Sequence, residues 1–235
     1  MNGPDPIDAI VYYVAFLFSV TLHEAAHAWA AKRGGDLTAY HGGQVSLDPI
    51  PHIRRSPFGM VVIPVISVIF TGWPFGFASA PYDPDWARQH PKRAGWMSLA
   101  GPGANLLLVL FAALAIRTGM SFDFFHAPAS VGFATVTASD VSDFGSAAAF
   151  ILSVFFSLNL VLCCLNLIPV PPLDGSGAIL LFLSEQASER YQEFMAQPML
   201  GIFGILVAWR VMDHIFWPTF LTAVNLLYPE FHYGN

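Results

Sequence analysis

Residues 8–31 read DAIVYYVAFLFSVTLHEAAHAWAA, an apolar run of 24 residues closed by Lys32 and Arg33. Wound as a helix, a run of this length crosses a hydrocarbon core of about 30 Å. It does not read as a cleaved leader: the residues before it include Asp5 but no Lys or Arg, and it carries His23, Glu24 and His27, which a disposable segment has no reason to hold. The rest of the chain has the same character. Of 235 residues, 55% are hydrophobic and 11% charged, with a mean hydropathy of +0.55. Soluble domains carry roughly a quarter charged residues, so more than half of the expected charge is missing. The surplus apolar surface must face lipid, which makes the chain a multi-pass membrane protein. A nucleic-acid partner is not expected. Cys163 and Cys164 are adjacent inside an apolar run, a spacing that suits packing rather than a disulfide framework.

Working outward, a polar Gly- and Pro-rich stretch follows residue 33. In it Gly43-Gln44-Val45-Ser46-Leu47-Asp48-Pro49 alternates like a short strand. Residues 58–72 are apolar but too few for a full span, and Pro64 interrupts them, so a re-entrant segment is expected. Further spans are expected over about 96–116 and 146–168, with a short helix over 176–184. The last apolar region, 199–228, is long enough for a span followed by an interfacial helix and is broken by Arg210, Asp213, His214 and Pro218. Seven of the ten basic residues lie between 32 and 93, and none lies between 118 and 189. The positive-inside rule then puts both basic loops in the cytoplasm, which requires 58–72 to enter and leave on one side. The fold expected is all-α and polytopic: four transmembrane helices, one re-entrant segment and a small membrane-associated β element, as a single domain over 1–235 with both termini outside.

The chemistry begins with His23-Glu24-Ala25-Ala26-His27. On a helix, positions i and i+4 share a face, so both imidazoles can reach one metal ion. Glu24 lies between them, where its carboxylate can take a proton from a metal-activated water. Zinc suits imidazole ligands, and a catalytic site needs three protein ligands and an open position. The competing reading is three polar residues satisfied by helix-to-helix hydrogen bonds. Burying two imidazoles and a carboxylate in an apolar helix is costly without a ligand, which favours the metal. Asp174 is the candidate third ligand. It follows Pro169, Pro171 and Pro172, which break the helix at membrane depth, and such breaks are tolerated where they line a cavity. The alternative for Asp174 is a turn residue capping the helix after Gly175.

His23-Glu24-x-x-His27, Gly101-Pro102-x-x-Asn105 and Asn166-x-x-Pro169-x-x-x-x-Asp174-Gly175 together resemble the site-2 protease family. The likeness is to its compact bacterial branch without PDZ or CBS domains, and it runs from about residue 8 to 184. The resemblance implies that His23, His27 and Asp174 bind Zn2+, that Glu24 is the general base, and that Asn166 lies near the reacting carbonyl. An amide NH2 aimed at a developing oxyanion is worth a few kcal/mol in a dry site. It further implies an edge strand, here at Gln44, Val45, Ser46 and Leu47 with a second strand near 77–82, that takes up substrate by β-augmentation. The chemistry asks for such a device, because a transmembrane helix has every amide internally bonded and must unwind before water can attack. Asn105 is a candidate for positioning substrate, Asn166 or the ligands, with structural packing as the alternative. Asn159, seven residues before Asn166, could face the same cavity or glue helices. Two departures from the family pattern, Ser176-Gly177-Ala178 after the Asp-Gly and Ser79-Ala80-Pro81 in the second strand, bear on substrate or lipid contact rather than on zinc.

The function expected is an intramembrane zinc metalloendopeptidase acting on transmembrane proteins in a bacterial inner membrane, with its active site towards the cytoplasm. The alternatives are a membrane zinc transporter or sensor, and a non-catalytic binder of transmembrane helices. Transport needs no general base, so Glu24 weighs against the first. His41, His52 and His90 are expected to be solvated or to touch lipid headgroups. Arg210, Asp213 and His214 share one helix face, and an interfacial anchor is the expectation there.

Overall fold

The computed structural model describes residues 5–234. The first helix, α1 (Pro6–Gly34), starts where the Asp5 side chain accepts from the Ile7 amide at 2.8 Å and Pro6 pre-sets the first turn. It stops at Gly35, whose φ of 101° is open to glycine at little cost. Lys32 and Arg33 occupy its last turn, where the helix dipole favours positive charge. Short helices α2 (Thr38–His41) and α3 (Pro49–Arg55) follow. A π-helical turn, Phe58–Val62, then leads into α4 (Ile63–Thr71). The α3 and Phe58–Thr71 helices bend by 112° at the break between them, the geometry of a broken span or a re-entrant loop, while 58–71 itself runs helical through Pro64. Next come α5 (Pro84–Gln89), α6 (Pro91–Ser121), α7 (Asp143–Asn166), α8 (Asp174–Ala178), α9 (Glu185–Met195) and α10 (Pro198–Leu227). Four of these, α1, α6, α7 and α10, are long and apolar enough to cross a membrane. The last region is one continuous helix through Pro218, rather than a span followed by a separate interfacial helix.

The chain forms two compact units, the first running through Ala104 and then over Leu165–Arg210. In it α1 packs on α2, α3 and α4. Ala31, Trp86, Ala87, Ala94, Met97 and Leu180 form a buried cluster, and the Trp86 indole donates to the Gly34 carbonyl at 3.1 Å. The second unit comprises Asn105–Cys164 and the chain from Val211 onward. Its core gathers Val109, Ile116, Phe156, Phe216, Phe220 and Tyr228. The segment between α6 and α7 folds back on itself through isolated bridges, His126 to Ala138 and Gly132 to Thr135. Ser153 Oγ accepts from the amides of Val136 and Thr137 at 2.9 and 3.1 Å.

The expected β element does not form: among the described residues there is no strand. Residues 45–47 trace successive bends after Gln44, because the polar groups of the stretch are engaged locally. The Gln44 amide donates to Ala39 behind it at 3.0 Å, Ser46 Oγ accepts from the Asp48 amide at 3.0 Å, and Asp48 caps α3 through the Ile50 amide at 2.9 Å. Residues 77–82 have no regular secondary structure, and the Ser79 carbonyl accepts from Arg55 Nε at 3.1 Å. His52 also departs from expectation. It is 1% exposed, with Nε2 donating to the Ser46 carbonyl at 3.0 Å, because the tight turn into α3 folds the ring inward.

Candidate metal centre

Helix periodicity brings His23 and His27 to the same buried face of α1, their ring centroids 4.6 Å apart. The Nδ1 atom of His27 lies 2.7 Å from the Met97 carbonyl on α6. A carbonyl only accepts, so Nδ1 carries the proton and donates, leaving the Nε2 lone pair for a ligand. Gly101 of α6 lies one turn further along. A Cβ there would stand 2.3 Å from His27 Nε2 and 2.5 Å from His23 Nε2, so only a glycine lets α6 pass this close.

Asp174 arrives from the opposite direction in sequence. After α7 the chain breaks through Pro169, Pro171 and Pro172 and turns back at Gly175, where a Cβ would meet the carbonyls of Leu167 and Ile168 at 2.4 and 2.5 Å. That fold-back explains why glycine follows the acid. Its placement is held from several sides within the same unit. Lys92 Nζ donates to the carbonyls of Leu181 and Leu183 at 2.9 and 2.6 Å, and the Tyr191 hydroxyl donates to the Ser176 carbonyl at 2.8 Å. Burial lifts the Tyr191 phenol above its usual pKa, so it remains a donor.

The three ligand atoms converge. His23 Nε2 and His27 Nε2 are 3.0 Å apart, and Asp174 Oδ2 lies 3.1 and 3.3 Å from them. A tetrahedral zinc with bonds of about 2.0–2.1 Å sets its ligands roughly 3.3 Å apart along each edge. The triangle is close to that size, and Asp174 Oδ2 accepts no hydrogen bond of regular geometry. The imidazoles and the carboxylate therefore fit the ion. Glu24 sits between the histidines in sequence at 5% exposure, with a buried Oε2 that has no hydrogen-bond partner among the described residues. A buried, unpartnered carboxylate is costly in structural terms and suits a base held ready.

The other residues singled out from the sequence are distributed differently. Asn166 is the last residue of α7, half-buried, eight positions before Asp174. In the second unit the Asn105 amide donates to the Asn159 carbonyl oxygen at 2.8 Å, and both side chains are fully buried. Gln44 is buried, Val45 and Ser46 are half-buried, and Leu47 is 63% exposed. The sequence reading missed the close approach of Gly101, the Met97 carbonyl, and the support from Lys92 and Tyr191. A glycine inside an apolar helix, destabilising by about 1 kcal/mol against alanine, was the available hint of a close contact.

The model of the family described as peptidase family M50 matches residues 11–209. A Bacillus subtilis (strain 168) protein named as a candidate zinc metalloprotease, YwhC, is 29% identical over 222 residues, covering 91% of this chain and 87% of that protein. Proteins named as candidate zinc metalloproteases Rip2 are similar over 72% of this chain. The one from Mycolicibacterium smegmatis (strain ATCC 700084 / mc(2)155) is 29% identical. The one from Mycobacterium tuberculosis (strain ATCC 25618 / H37Rv) is 31% identical. The matched region spans 56% of the length of each Rip2 protein. No solved structure gives a significant match.

Proposed function

The chain belongs to peptidase family M50 and is a multi-pass membrane zinc metalloprotease, and from that premise we propose that it cuts transmembrane proteins at peptide bonds within or beside the bilayer. One observation carries the reading: the ligand atoms of His23, His27 and Asp174 form a triangle with edges of 3.0, 3.1 and 3.3 Å beside a buried Glu24. These three residues would hold Zn2+. When bound, zinc supplies Lewis acidity, lowering the pKa of a water towards neutrality and polarising a carbonyl.

The chain's own residues do the remaining work. Glu24 accepts the proton of the attacking water and returns it to the leaving amine as the C–N bond breaks. Asn166 offers its amide NH2 to the oxyanion that develops on the carbonyl oxygen. The Met97 carbonyl keeps His27 in one tautomer through each turnover. Substrate must arrive unwound, because water cannot reach a bond whose amides are locked in a helix. Residues 44–47, which meet the 77–82 segment where the Gln44 side-chain amide donates to the Ser79 carbonyl, are the surface proposed to receive it. The exposure of Leu47 supports that assignment. The bond from Asn105 to Asn159 favours a packing role for Asn105 over substrate contact.

The whole of 1–235 acts as a single membrane-embedded domain in this reading. The basic residues Lys32, Arg33, Arg54, Arg55, Arg88, Lys92 and Arg93 support an inner-membrane orientation with the centre towards the cytoplasm. The buried, unpartnered Glu24 favours a hydrolase over a zinc carrier. Glu24→Ala should abolish cleavage while the purified protein keeps its zinc. Membrane proteomics of cells carrying that variant should show uncut transmembrane stubs that the unaltered enzyme removes. Wild-type cleavage by Glu24→Ala would overturn the mechanism.

A further inference from the structure

α10 is 30 residues long, and a hydrocarbon core takes about 20. Every 20-residue window of the helix, from 198–217 to 208–227, therefore contains both Arg210 and Asp213. Both side chains are exposed, and neither makes an ion pair or hydrogen bond among the described residues. Lipid solvates such groups poorly, and charged residues within a span face a partner or a water-filled space.

The surroundings of the pair are ordered. Met199, Phe203, Leu206, Arg210, Asp213 and Trp217 follow spacings of four, three, four, three and four, the alternating positions of a helix–helix seam. All six are exposed: Met199 at 74%, Phe203 at 63%, Leu206 at 65% and Trp217 at 48%, with the two charged residues between them. Within the first unit the opposite side of the helix is the docked one. Ala208 is 2% exposed, and Gly204 lies so close to Pro171 that a Cβ would stand 1.7 Å from its carbonyl oxygen. Within the first unit, Met199, Phe203, Leu206 and Arg210 thus lie on the free face of a helix anchored along its back.

We propose that this seam is a helix–helix interface between two copies of the chain, closed by reciprocal pairs between Arg210 of each copy and Asp213 of the other. Charge complementarity selects the occupant. In a two-fold pairing of parallel helices, each residue meets its own counterpart layer by layer. An arginine one layer from an aspartate can then reach across to the partner's acid, and the partner does the same. The seam becomes neutral, and both charges leave the lipid. Packing and interhelical polar contacts drive association in membranes, and the seam offers apolar side chains for the one and a charged pair for the other. The proposal is independent of the proteolytic reading, since it uses no residue of the metal centre.

The test uses the full chain in its native membrane with Cys163→Ser and Cys164→Ser, to which Leu206→Cys is added. Oxidation by iodine should give a disulfide-linked product of twice the chain mass. Leu226→Cys, exposed on the other side of the helix, should give none. Adding R210D or D213R alone should cut the linked product at least fivefold, because like charges then face each other. The double variant R210D/D213R should restore at least half of it, which also shows that the altered helix still inserts. A Leu206→Cys chain that stays monomeric, an adduct with a different protein, or linkage indifferent to the single reversals would each overturn the proposal.

Discussion

Gly101 and His27 approach so closely that one added carbon on the glycine would stand 2.3 Å from the imidazole Nε2. The ring cannot swing away, because its other nitrogen donates to Met97 at 2.7 Å and its backbone is locked in α1. The place of a proposed zinc ligand thus depends on the absence of a side chain on a neighbouring helix.

Gly101→Ala should lower zinc affinity roughly 10–100-fold, the range for disturbing the support of a ligand. Gly103, two residues on, has nothing within 4 Å of an added Cβ. Gly103→Ala should keep its zinc and gain up to about 1 kcal/mol from helix propensity. Chelator competition on both purified variants separates the two effects. Equal zinc affinity in the pair would contradict the close approach.

Tyr191 belongs to α9, yet its hydroxyl supports the Ser176 carbonyl two residues beyond Asp174. The Leu173 cap of α8 makes no side-chain hydrogen bond, so this support comes from outside the short helix. Tyr191→Phe removes one hydrogen bond, about 0.5–1.5 kcal/mol. Zinc should leave the variant severalfold faster, with α-helical content unchanged by circular dichroism. An unchanged release rate would show that Tyr191 does not hold Asp174 in place.

Asn105 and Asn159 are each 0% exposed and joined at 2.8 Å. Asn105→Ala or Asn159→Ala leaves a buried amide short of a partner, costing about 1–3 kcal/mol. The double variant should cost less than the sum, because the orphaned group is gone. Thermal unfolding in detergent measures the cycle. Additive losses would sink the pairing, and loss of activity without loss of stability would restore a substrate role for Asn105.

Removing the metal should destabilise as well as inactivate. If zinc is present at 100 times its dissociation constant, binding contributes about 2.7 kcal/mol to the folded state. Treatment with a strong chelator should therefore lower the melting temperature of the unaltered protein, and added zinc should restore it. Asp174→Ala should already melt near the lower temperature and gain nothing from zinc. A zinc-dependent rise in that variant equal to the unaltered protein's would remove Asp174 from the ligand set.

The amino-acid sequence by itself determined the membrane spans and the shared face of the two histidines, which depend on helical periodicity and hydropathy. Hydropathy along the chain marked four spans and the short interrupted segment at 58–72, because lipid leaves a helix no alternative way to satisfy its amides. The i, i+4 spacing of His23 and His27 set their common face for the same reason. Pairings across long sequence separation were decided only in three dimensions. His27 and Met97 are 70 residues apart, and Asn105 and Asn159 are 54 apart. No periodicity encodes such contacts. The alternation at 44–47 looked like a strand, but capping bonds from Gln44, Ser46 and Asp48 use the groups a ladder would need. A strand requires a partner, and whether one is in register is a property of the folded chain rather than of the segment.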